Sequence, residues 1–153
     1  EQETAAIFRR SGIEVSWVNC PIDDRVCGTE SKPAEMILRI LGRRPGGALN
    51  RPLGYAIPGG YANVYALDAY SSAESAGVDG SVVLGIAIGH ELGHLLLGGL
   101  EAHSRTGIMQ AKWAKKDVRA ASHRALGFAP EEARKLRAEV VLRSPTIVAS
   151  ITR

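Results

Sequence analysis

Aromatic residues are scarce: Phe, Trp and Tyr together make 5% of the 153 residues. Any core must therefore rest on Leu, Ile, Val and Ala. Cysteine is nearly absent as well. The two that occur, Cys20 and Cys27, are not spaced as C-x-x-C, which argues against a zinc knuckle or a redox dithiol. No internal repeat or low-complexity block is present, so a solenoid is not expected. No run of Lys or Arg exceeds two residues. Residues 1–100 carry 8 Lys/Arg against 11 Asp/Glu, and residues 101–153 carry 11 against 5, so the net charge of +3 splits into −3 and +6. The basic final third is diluted by Ala, Leu and Glu and reads as a solvated helical face, so nucleic-acid binding is not expected. Only one long apolar stretch exists, Val82–Leu100. Its centre carries His90, Glu91 and His94, which are costly in lipid unless they line a protein cavity, and a single span cannot build one. A buried helix is expected there, and no membrane span.

What is present fits one domain over residues 1–153, with 45% hydrophobic and 23% charged residues. Glu3–Arg10 reads as an amphipathic helix stopped at Gly12. Ile13–Val18 alternates and is β-branched, the pattern of a strand; Glu35–Leu41, Gly54–Pro58 and Tyr61–Tyr70 are further strand candidates. Arg44-Pro45-Gly46-Gly47 signals a turn, and Ser71–Gly80 reads as a loop. Ser81–Leu97 is the central helix, capped by Asp79 or Ser81 and ended by Gly98-Gly99. Its glycines Gly85, Gly89 and Gly93 each cost about 1 kcal/mol against Ala, which makes sense where a helix lies very close to a neighbour. Val118–Ala125 is a basic helical stretch. Pro130 opens a last helix, with Glu131 and Glu132 set against the dipole. The order predicts an α+β fold. The polar segment between Cys20 and Cys27 can close a small loop, so a disulfide is expected there and with it an oxidising compartment. The start at Glu1, without an initiator Met and inside a helical pattern, fits a processed chain. Secreted or periplasmic localisation is the expectation; oligomeric state is not readable.

The chemistry concentrates at His90-Glu91-Leu92-Gly93-His94, an H-E-x-x-H pattern. Positions four apart on a helix share a face, so two imidazoles at that spacing converge on one metal ion. Glu91, rotated by about 100° around the axis, reaches a water beside the metal without being a ligand. A polar patch on a buried helix would leave two imidazoles and a carboxylate to be solvated, and a metal removes that cost. A catalytic zinc takes three protein ligands and keeps one open position. His103, beyond the Gly98-Gly99 hinge, is the favoured third ligand; Glu101, Glu131 and Glu132 are alternatives. His123 reads as a surface residue. Trp113 reads as core packing or as the wall of a side-chain pocket.

His90-Glu91-x-x-His94 followed by glycine, then His103-Ser104 and Gly107-Ile108-Met109, resembles the metzincin clan of zinc endopeptidases, whose pattern is H-E-x-x-H-x-x-G-x-x-H with a downstream Met-turn. The clan's glycine and third histidine would fall at Leu97 and Leu100; here the glycines are Gly98 and Gly99, and the histidine comes three residues later. The resemblance covers residues 90–109. It implies zinc held by His90, His94 and His103, Glu91 as general base, and Met109 beneath the metal. It also implies a small twisted mixed sheet with an active-site helix and a C-terminal helix, and a peptide or protein substrate paired with an edge strand. Tyr61, Ala62 and Asn63 are the candidates for that strand. The activity implied is zinc-dependent hydrolysis of peptide bonds. The alternatives are a non-proteolytic metal-binding relative and a zinc peptidase with a glutamate ligand.

Overall fold

Thr4, Ile7 and Phe8 fall on one face of the first helix, α1 (Gln2–Arg10), and are buried. In the computed structural model, residues 1–20, 35–44, 52–57, 61–99 and 102–144 are described. Among them the fold is α+β, five helices with one small mixed sheet. After α1 come β1 (Ile37–Leu41), β2 (Gly54–Ala56), β3 (Tyr61–Tyr65), α2 (Ala66–Ala76), α3 (Gly80–Leu97), α4 (Lys115–Ser122) and α5 (Pro130–Arg143). Strand order is β1-β3-β2, with β1 parallel and β2 antiparallel to β3.

α3 is the axis of the molecule. It touches α1, α2, α4, α5, β2 and β3, and every residue from Gly85 to Leu96 is buried. By length and composition it would cross a membrane, but 72% of it is buried within the protein. Asp79 caps it, its carboxylate accepting from the Ser81 amide at 2.7 Å. The three internal glycines do serve close packing. A Cβ on Gly85 would stand 2.6 Å from Glu3 Cβ, one on Gly89 2.9 Å from Ile108 Cδ1, and one on Gly93 2.6 Å from Met109 Sδ. α1 and the 104–110 loop thus lie in a groove that side chains would fill. On another side Ala87, Ile88 and Leu92 join Ala56, Ala62 and Val64 of the sheet in one core cluster.

Three expectations are corrected. Ile13–Val18 is not a strand among the described residues. Its alternation reflects packing instead: Ile13, Val15 and Trp17 lie on the core cluster while Glu14, Ser16 and Val18 are exposed. The strand expected over Tyr61–Tyr70 ends at Tyr65, and α2 occupies Ala66–Ala76, where part of the loop was expected. The reason is the stripe Ala69, Ala73 and Ala76, buried at helical spacing. Finally, β3 is the central strand. Its backbone is paired with β1 on one side and β2 on the other, so Tyr61, Ala62 and Asn63 have no edge to offer a substrate. Ala62 and Asn63 are buried, and Tyr61 lies under the Arg39 guanidinium.

The expected α3 and α5 agree to within a residue with the observed helices. The Cys20–Cys27 pairing, Glu101 and the turn at residues 45–47 involve residues outside the described ones.

Candidate metal centre

His90 and His94 lie one helical turn apart on α3, and both are buried. The chain leaves α3 through Gly98 and Gly99, at φ +93° and +114°, conformations that side chains rarely tolerate. That turn brings His103 back to the helix. His94 Nε2 stands 2.9 Å from His90 Nε2 and 3.2 Å from His103 Nε2. The ligand atoms of all three lie within 4.8 Å of one another. Two nitrogens on a tetrahedral zinc would be about 3.3 Å apart.

The other ring nitrogens explain why a cation fits. His90 Nδ1 lies 2.8 Å from the Ile108 carbonyl oxygen, and His94 Nδ1 lies 2.8 Å from that of Gly99. A carbonyl only accepts, so each Nδ1 carries the proton and each Nε2 of the neutral ring presents a lone pair. Two lone pairs at 2.9 Å, with no proton between them, repel. A divalent cation at their convergence turns that repulsion into coordination, and the carbonyls orient the rings as outer partners do at metal sites. The donor set is one that zinc, copper, iron and nickel all accept.

The loop carrying Ile108 is itself held. Ser104 N donates to Met109 O, Ile108 N donates to Gly127 O, and Trp113 Nε1 donates to Ile108 O at 3.1 Å. Trp113 therefore steadies the carbonyl that orients His90 and stands edge-on to that ring, 5.5 Å between centroids. Met109 is fully buried against Gly93, between the two helical histidines in sequence. Glu132 and Glu131 are outside the cluster: Glu132 Oε2 accepts from the Ala129 amide at 2.7 Å, and Glu131 pairs with Arg134. His123 is exposed.

Glu91 is 5% exposed and rests against β2. A Cβ on Gly54 would stand 2.7 Å from Glu91 Cγ and 2.5 Å from the Asn63 carbonyl oxygen. Gly54 carries no site signal in the sequence; only its contact with the carboxylate reveals its part. Replacing Gly54 with alanine is expected to destabilise the protein by about 1–3 kcal/mol, because a backbone atom cannot yield. It should also displace Glu91. An unchanged urea midpoint would refute the contact.

Burial pushes the Glu91 carboxyl up to about 7, opposed by the nearby Arg44 charge. Burial holds the His90 imidazole down at about 4 against the pull of the Ile108 carbonyl, and lowers His94 as well. The signs oppose each other in the metal-free protein. The histidines cost stability as pH falls below 6.5, since the unfolded chain takes up their protons first. Glu91 costs stability as pH rises from 4.5 to about 7, since the unfolded chain has already released its proton. Two histidines outweigh one carboxylate, so metal-free stability should fall as pH drops below 6.5. Glu91→Gln removes the opposing carboxyl and should steepen that fall. Chemical denaturation in chelator across pH measures both.

Comparison with family models, with curated proteins and with solved structures finds no match for this chain.

Proposed function

We propose that this protein is a zinc-dependent endopeptidase of the metzincin type, with His90, His94 and His103 as ligands. The observation that carries the reading is the convergence of three imidazole nitrogens, two with their protons committed to carbonyls, beside a buried carboxylate that is not in the cluster. When bound, zinc supplies Lewis acidity toward a peptide carbonyl and a water molecule. Glu91 takes the proton of the attacking water on a carboxylate oxygen and delivers it to the leaving amine nitrogen. Its proton affinity near neutrality suits both transfers. Ile108 and Gly99 keep the imidazoles of His90 and His94 aimed, and Met109 packs beneath Gly93.

β2 takes over the part first given to β3. Among the described residues it pairs only with β3, and it lies against Glu91. An extended peptide added along its other side would run past the carboxylate with its backbone hydrogen-bonded. The spacing of Cys20 and Cys27 supports an oxidising, extracellular or periplasmic setting for this activity.

Zinc-loaded protein should cleave casein or a quenched-fluorescence peptide library, lose that activity to a chelator and regain it with zinc. Protein holding one zinc per chain and cleaving no peptide in the library would overturn the endopeptidase reading.

A further inference from the structure

Beside the 104–110 loop lies a cavity that the proposed peptidase chemistry does not use. This open cavity of about 620 Å³ is lined by the end of α1, residues Thr106 and Gly107, the segment 124–129 and the start of α5. Three arginines line it, Arg10, Arg124 and Arg137, and no carboxylate does. None of the three is in an ion pair among the described residues.

Two of these guanidinium groups are fixed in place by main-chain oxygens. Arg10 Nη2 donates to Leu126 O at 2.8 Å, and Arg137 Nη1 donates to Ser11 O at 2.8 Å. Each retains further N–H donors, and a guanidinium cannot lose its charge. Arg124 sits at φ +56°, a left-handed conformation rare for a side chain of its size, and lines the same cavity. α5 also opens on it through Ala129, Pro130 and Ala133, and Ala129 has no side-chain oxygen with which to cap the helix. The two acids of that first turn are already engaged, Glu131 by Arg134 and Glu132 by the Ala129 amide. All three side chains are exposed, so solvent screens their mutual repulsion, and an anion held between them adds charge-assisted hydrogen bonds.

We infer that this cavity is a binding site for a small multivalent oxyanion, a phosphoryl or polycarboxylate compound held by Arg10, Arg124 and Arg137. The ligand joins α1, the 104–110 loop and α5, segments that come together only in the folded chain. Binding therefore stabilises the fold by mass action. The inference does not depend on the metal reading, and its test needs no catalytic activity.

The test is calorimetric titration and thermal unfolding of the full chain, prepared without added metal, with sulfate, inorganic phosphate and tricarballylate, at constant ionic strength set with chloride. The expected result is saturable binding of at least one of them, with Kd of about 1 mM or tighter and a matching rise in Tm. The phosphate and tricarballylate arms separate a phosphoryl from a carboxylate ligand. Arg124→Gly removes a guanidinium while favouring the left-handed backbone, so this variant should fold and bind at least about tenfold more weakly. Lys112→Glu, an exposed change outside the cavity, should bind as the unaltered protein does. The absence of saturable binding by all three anions, or binding unchanged in Arg124→Gly, would overturn the inference.

Discussion

Replacing Glu91 with glutamine should leave zinc bound at one per chain and lower peptide hydrolysis by about 1,000-fold, within the span that a positioned general base contributes. The amide has the carboxylate's shape, so it keeps the contact with Gly54 and burdens the core with no cavity. It cannot accept the proton of the attacking water. The three histidines are untouched, and Glu91 is not among the grouped ligand atoms. Metal affinity is thus expected to stay within a few-fold, and the fold should persist without the buried carboxyl's drive toward protonation. The two measurements together are decisive: zinc stoichiometry by mass spectrometry and kcat/KM on a fluorogenic peptide. Native turnover by Glu91→Gln would mean that another group moves the proton. Loss of zinc along with activity would mean that Glu91 belongs to the coordination sphere.

The second large effect belongs to His103. Its replacement by alanine should weaken zinc binding by more than about 100-fold, because losing a mere orienting partner at a metal site already costs 10–100-fold. The same change should scarcely alter the stability of the metal-free protein. His103 is exposed, outside the helix and outside the core clusters, so its removal leaves no cavity. His94→Ala makes an instructive contrast, since His94 is buried and its Nδ1 bonds the Gly99 carbonyl at the hinge. That variant should lose both the metal and part of the metal-free stability. Glu132→Gln tests the rival ligand: it should retain zinc, because Glu132 Oε2 is occupied with the Ala129 amide. Competitive titration with a chromophoric chelator reads all three affinities. Zinc bound by His103→Ala as tightly as by the unaltered protein would remove residue 103 from the site.

Much of the candidate metal centre was legible because its determinants are local. The four-residue interval between His90 and His94 places two rings on one helical face whatever surrounds the helix. Gly98 and Gly99 mark a turn because few other residues take their dihedral angles. His103 was less legible. Its distance from His94 in the chain departs from the metzincin pattern, and only the folded turn at Gly98 and Gly99 shows the ring reaching the others. α2 was less legible: alanine favours a helix, but its single methyl makes only a weak hydrophobic stripe, which becomes apolar contact once α3 lies against it.

From its sequence alone this chain determined that α3 would be a buried helix with two imidazoles and a carboxylate in its middle, that glycines would end it, and that α5 would begin at Pro130. Each follows from spacing or backbone preference within a few turns. The tertiary structure alone decided which strand is central, that the carbonyls of Ile108 and Gly99 aim the two histidines, that Gly54 adjoins Glu91, and that Arg10, Arg124 and Arg137 share one cavity. These are meetings between residues distant in the chain. They depend on how helices and strands stack, and no local pattern encodes that stacking.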